Sequence, residues 1–180
     1  MNTRDRLLFR AQARAILPEG VILHGSCVEQ NGNAVVFLAP SGGGKSTIAM
    51  NLASKNFFFI ADDTVIVTKG TDEHTRCLPC GSLKLSTGIQ DIAPAFMKAF
   101  VFLEKGNNTE VVKILPRYGE YRARRTISII SMPHLNREEK AQAGRYLQRL
   151  FHSFPAFILR YPLETDPSDI VSELLHRVSP

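Results

Sequence analysis

The sequence predicts an α/β fold, and three observations carry the prediction. An apolar run, Ala34-Val35-Val36-Phe37-Leu38, leads into a loop with three consecutive glycines, then into the helix-like segment Ile48-Ala49-Met50-Asn51-Leu52-Ala53. Further short apolar runs alternate with stretches of helical period along the chain, the pattern of a sheet layered with helices. Between two of the runs lies Gln30-Asn31-Gly32-Asn33, and Asn-Gly accepts the positive φ angles of a two-residue hairpin loop.

The elements follow in order. Residues 4–17 set Leu7, Leu8, Ala11 and Ala15 on one helical face, and Pro18-Glu19-Gly20 stops the helix. Residues 21–29 and 34–39 flank the Asn-Gly turn and are expected to pair antiparallel, with His24 at the sheet edge near the glycine loop. Phe57-Phe58-Phe59-Ile60-Ala61 is unbroken apolar sequence, expected as a strand buried on both faces, and it ends in Asp62-Asp63. Residues 64–68 read as a strand closed by Lys69-Gly70, and residues 71–90 as irregular. Within them, residues 85–90 echo a transporter-ATPase signature only by chance, with one residue too many and too close behind the glycine loop.

Residues 92–98 read as a short helix around Pro94, 99–103 as a strand, 106–108 as a turn and 110–115 as a strand. A basic stretch follows, with Arg117, Arg122, Arg124 and Arg125. It reads either as a solvated face or as a grip on an acidic acceptor or a phosphate. A helix is expected from about Arg137 to Phe151, with Ala141, Leu147, Leu150 and Phe151 in the core, then a last strand at 156–159. Asp166-Pro167-Ser168-Asp169 opens a final helix through His176: a cap, a proline at the first position and an acid at the third.

Composition narrows the function classes. Of the 180 residues, 44% are hydrophobic and 22% charged, which suits one globular domain with a real core. No repeat or linker divides the chain. No apolar run reaches the ~18 residues of a membrane helix, and Arg4, Asp5, Arg6, Arg10 and Arg14 break any signal-peptide core. No membrane partner is expected, and the location reads as cytoplasmic.

A net charge of +5 favours anionic partners such as a nucleotide or an acidic protein surface. Nucleic acid is disfavoured, because no base-reading or stacking motif is visible and Trp is absent. Cys27, Cys77 and Cys80 are an odd set that reads as reduced thiols. His74, Cys77 and Cys80 offer three ligands where structural zinc needs four. The stretch reads as a turn, with metal binding by Cys77 and Cys80 left open.

The chemistry centres on Ala39-Pro40-Ser41-Gly42-Gly43-Gly44-Lys45-Ser46-Thr47. A glycine-rich turn with Lys-Ser between a strand and a helix is the context of a phosphate-binding P-loop. Its glycines let successive N–H groups turn inward on phosphate oxygens, and the helix N-terminus adds partial positive charge. Residues 40–47 (Pro40, Ser41, Gly42, Gly43, Gly44, Lys45, Ser46 and Thr47) are therefore the expected triphosphate site for ATP. Lys45 reaches the outer phosphates and Ser46 holds Mg²⁺. Acids ending a strand near such a loop serve the metal and the proton. Of Asp62 and Asp63, one would hold Mg²⁺ and the other would accept a proton from an attacking hydroxyl or water. A lone His24 reads as a structural hydrogen-bonder.

His24-Gly25-Ser26, the loop at 39–47 and Ala61-Asp62-Asp63-Thr64-Val65 occur in one order over residues 20–68. This constellation resembles the catalytic domain of HPr kinase/phosphorylase and its shorter relatives. The resemblance implies the P-loop fold shared with phosphoenolpyruvate carboxykinase, a mixed sheet flanked by helices. It also implies catalytic roles for His24, Lys45 and Asp63, magnesium at Ser46 and Asp62, and a trimer or hexamer.

The sequence departs from the family at Ala39, where glycine is usual, and at Thr47, where glutamate is usual. The acidic metal ligand and the Arg-Gly-Leu-Gly-type stretch expected downstream are not found, and residues 81–85 carry no carboxylate. These departures argue against HPr as acceptor and against phosphorolysis. The expected activity is ATP- and Mg²⁺-dependent transfer of a phosphoryl group to a serine of a protein or peptide. The alternative is a nucleotide-binding regulatory or assembly module with little catalysis.

Overall fold

Two apolar segments dominate the sheet. Val35 to Leu38 and Ala99 to Leu103 are all buried, and they lie side by side in parallel. The computed structural model describes residues 3–80, 95–130, 135–162 and 165–178, and the α/β class read from the sequence is what it has. Among these residues nine strands make one mixed sheet. They are β1 (Gly20–Leu23), β2 (Gly25–Gln30), β3 (Asn33–Leu38), β4 (Phe58–Ala61), β5 (Val65–Lys69), β6 (Thr75–Pro79), β7 (Ala95–Lys105), β8 (Glu110–Ile114) and β9 (Ala156–Tyr161). The helices are α1 (Thr3–Ala15), α2 (Lys45–Ala53), α3 (Pro116–Ile130), α4 (Arg137–Ser153) and α5 (Ser168–Val178). No described helix is long and apolar enough to cross a bilayer.

Alternation along β3 and β7 sorts the core into two layers, as a period of two demands. Val35, Phe37, Ala99, Val101 and Leu103 pack with Ile48, Ala49 and Leu52 of α2 and Val171, Leu174 and Leu175 of α5. Val36, Leu38, Phe100 and Phe102 pack with Ala123 of α3 and Tyr146, Leu147, Leu150 and Phe151 of α4. Both sheet faces are thus covered where the strands run parallel.

The strand order is β1-β5-β6-β7-β3-β2-β4, with β9 on β7 and β8 on β9. Most pairs are antiparallel; β3 with β7 and β7 with β9 are parallel. The Asn-Gly hairpin forms as expected, with Asn31 at φ 54° and Gly32 at φ 79°. The pairing it fixes is shorter than expected. Gly25 to Gln30 pair with β3, whereas Gly20 to Leu23 turn away at His24 and pair with β5.

The register shows why. Leu23 stands opposite Val65, and Cys27 stands opposite Ala61. Residues 20–30 and 58–69 are therefore the two legs of one antiparallel ribbon, in step on both sides of a corner from Gly20 to Cys27, with a bulge between Cys27 and Val28 beyond it. His24 lies at the corner on one leg and residues 62–64 on the other.

Several expected elements are corrected. Phe57 is buried, but among the described residues β4 pairs only with β2, and Phe58 is 68% exposed. It is an edge strand, so its apolar run does not mean burial on two faces. Residues 75–79 form β6 in a stretch read as irregular, and residues 95–98 belong to β7, not to a helix. Residues 92–94, 85–90 and 81–85 lie outside the described residues. In α1 from residue 9 onward the buried positions are Phe9, Gln12 and Ala13, while Ala11 and Ala15 are exposed; the side chains of Leu7 and Leu8 lie outside the described residues. A phenylalanine buries far more apolar area than an alanine and sets the helix rotation. Ala141 of α4 is likewise exposed, and Ala143 and Tyr146 take its place in the core.

Candidate active site

Topology delivers the expected residues to one edge. β3 and β7 are parallel, β2 runs against β3 and β4 runs against β2. The ends of β3, β4 and β7 and the start of β2 therefore share one rim, the side where ligands of open α/β sheets collect. The glycine loop leaves β3 there, Asp62 and Asp63 leave β4, and His24 and Ser26 stand at the start of β2.

The loop has the backbone its glycines allow. Gly42 (φ 73°) and Gly44 (φ 87°) are left-handed, a conformation costly for residues with a Cβ. The Gly43 amide donates to the Pro40 carbonyl at 3.0 Å. Gly44 caps α2 without a side-chain hydrogen bond, so the helix presents its first amides to the rim. Lys45 is buried, and its ammonium donates to the Ala39 and Pro40 carbonyls at 2.9 and 3.2 Å. Burial pulls its pKa below that of an ordinary lysine, while the Asp63 and Asp62 carboxylates pull the other way.

The acid pair divides its work. The Asp62 carboxylate accepts from the Ser26 hydroxyl at 2.6 Å and from the Ser46 hydroxyl at 2.9 Å. Burial opposes its charge. The two hydroxyls, an Asp63 hydrogen bond and Lys45 outweigh burial and hold the carboxyl below the usual range. Asp63 sits at φ 65°, and the Thr64 amide donates across it to the Asp62 carbonyl at 2.7 Å. This tight turn leaves the Asp63 side chain 76% exposed.

His24 Nδ1 lies 2.8 Å from the Asp63 carbonyl and 3.2 Å from its Oδ1. A carbonyl can only accept, so Nδ1 carries a proton. A pocket of about 290 Å³ is lined by residues 41–47, His24, Asp63 and Lys105. A larger cleft of about 570 Å³ adjoins it at His24.

The structure thus brings His24, Lys45, Ser46, Asp62 and Asp63 together with the loop. It adds Ser26, to which the sequence assigned no role. The ribbon register was the missing signal, because it sets Ser26 beside Asp62 across the corner. The larger cleft was also missed. It is lined by a stripe of α3 whose spacing becomes visible once residues 116–130 are known to be helical. His74, Cys77 and Cys80 do not converge: His74 packs edge-on to Phe96, Cys77 meets Met97, and Cys80 donates to Gln12. Among the described residues no group of three or more His, Cys, Asp or Glu side chains is set to hold a metal.

A curated relative agrees with the resemblance read from the sequence. HPr kinase/phosphorylase of Aromatoleum aromaticum is 29% identical over 126 residues, 70% of this chain. The match spans 35% of that relative, about a third of its length. A solved structure, the Hpr(Ser) kinase/phosphatase from Coxiella burnetii, aligns with a TM-score of 0.47 and 11% identity over 87% of this chain and 94% of that one. The fold is HPr-kinase-like. The family model described as "SynChlorMet cassette protein ScmC" matches residues 5–164, and the chain belongs to that family.

Proposed function

We propose that the protein is a kinase that transfers the γ-phosphoryl group of ATP to a serine hydroxyl of a protein or peptide. The observation that carries the reading is one rim holding an amide-lined loop, a lysine and two acids of different environment. Left-handed Gly42 and Gly44 give the loop a backbone that can turn main-chain amides toward a phosphate tail. Ser46 Oγ and Asp62 Oδ1, 2.9 Å apart, are the hard oxygen donors a small divalent cation takes. They would hold Mg²⁺, which when bound neutralises charge on the phosphate oxygens.

The chain's own groups divide the remaining work. Amides of residues 41–47 and the Lys45 ammonium orient the triphosphate and stabilise charge that grows on it. The exposed Asp63 carboxylate accepts the serine proton as the new O–P bond forms and the bond to the departing ADP oxygen breaks. His24 keeps Asp63 in place through Nδ1, and its other ring nitrogen is left for the reacting phosphate. Because such transfer leans on alignment and charge, Lys45 outweighs Asp63 in the rate.

The test is incubation with Mg·ATP and proteins encoded beside this one, read by phosphoserine mass spectrometry and ADP release. Lys45→Ala is expected to abolish both signals. Asp63→Asn is expected to bind ATP as before and lose transfer. Phosphoserine formed at the parent rate by the Lys45→Ala protein would sink the reading. ATP binding without phosphoserine or ADP release from the parent chain would turn it into a nucleotide-binding module.

A further inference from the structure

The larger cleft plays no part in that reading, yet it is built from chosen residue types. Tyr118, Tyr121, Arg122 and Arg125 of α3 line it. Their spacing is i, i+3, i+4, i+7, one stripe of a helix. Over residues 116–125 the inner face of α3 is small. Ala123 is buried, and a Cβ on Gly119 would lie 2.7 Å from the Phe151 ring. Close packing on that side leaves the aromatic and basic stripe directed into the cleft. Tyr118 and Tyr121 remain 48% and 60% exposed, and Tyr and Arg are the types enriched where partners dock.

Charge and position narrow the occupant. Arg122 donates to Glu104 at 2.6 Å and lies over the Phe102 and Tyr118 rings at 5.1 and 5.7 Å. Glu104 also accepts from Arg160 at 2.9 Å. The described lining therefore holds two guanidinium groups and a single carboxylate, already engaged twice. The cleft meets the phosphate pocket at His24, beside Asp63. His24, which holds Asp63, lines both cavities, so a segment lying in the cleft can reach the phosphate pocket past that ring.

We propose that this cleft binds the acceptor peptide as an extended segment with a carboxylate near its serine. Tyr121 is the platform for the chain, and Arg125 takes the carboxylate. Arg122, clamped by Glu104, is the wall between them. The peptide's fate rests on the kinase reading, but its binding does not.

The experiment is fluorescence anisotropy without nucleotide. The probes are short serine-centred peptides flanked by glutamate, alanine or lysine. Glutamate-flanked peptides are expected to bind about tenfold tighter than lysine-flanked ones. Arg125→Glu should reverse that order, and Tyr121→Ala should weaken all peptides by about tenfold. Both variants should bind a fluorescent ATP analogue as the parent does. Peptide binding blind to flanking charge would overturn the proposal, as would a preference that survives Arg125→Glu. Loss of ATP-analogue affinity in Tyr121→Ala with peptides unaffected would assign the cleft to a nucleobase instead. Glutamate-selective binding with no phosphoserine formed would remove the kinase reading and leave the peptide site standing.

Discussion

Asp62 takes hydroxyl hydrogen bonds from serines 36 positions before it and 16 positions before it. Its carboxyl is held low, so its stabilising effect is complete above the ordinary carboxylate pKa of about 4. That stability is lost as pH falls through the depressed folded-state value. Ser26→Ala is expected to raise the Asp62 pKa, visible by carboxyl carbon NMR. It should cost about 1 kcal/mol in urea unfolding near neutral pH. An unshifted Asp62 in the variant would show that Ser46, the Asp63 hydrogen bond and Lys45 hold the charge without Ser26. At this scale much was legible. Glycine, lysine, serine and paired acids are types that few other jobs require in that order. Ser26 was not legible, because a serine near a strand start has many uses and only the register across the corner gives it a partner.

At the scale of elements, α3 shows how a helix escapes a sequence reading. Over residues 116–125 its buried positions are Gly119 and Ala123, too small to print an apolar period, while its aromatic residues there are exposed. β6 escaped for a related reason, since Cys77 is its one buried residue among half-buried neighbours. The strand β4 misled in the opposite direction, its phenylalanines lying on an open edge. By contrast, β3 and α4 were legible because their buried faces are large and regularly spaced.

The close approach of α3 to α4 makes a prediction. Gly119→Ala would set a methyl group 2.7 Å from Phe151, which stacks on Phe100 at 4.3 Å between ring centres. The expected cost is about 1–3 kcal/mol. Adding Phe151→Leu should recover part of it, a non-additive result that a double-mutant cycle measures. Simple additivity would mean that α3 shifts as a body and never presses on the ring.

Over the whole molecule, stability should fall on the alkaline side through a group of the core between the sheet and α4. Tyr146 lies on the buried face of α4, and burial pushes its phenol up to about 12. The folded state then holds a proton that the unfolded chain releases near pH 10. Unfolding free energy should therefore decline as pH rises from about 10 to 12. Tyr146→Phe should flatten that decline in denaturant titrations, and an unchanged slope would place the alkaline loss on other groups.

The two-legged ribbon from 20–30 and 58–69 has one more consequence. Histidine, serine and both acids are placed by counting along a single ladder, not by the reach of separate loops. The ladder thus works as a ruler, and its graduations are residues. One extra residue between Ser26 and Cys27 would turn Ser26 to the opposite surface, whereas the same addition at the Asn31-Gly32 tip would leave every spacing at the rim unaltered. Length variation in descendants of this chain should be concentrated at that tip and shun the corner.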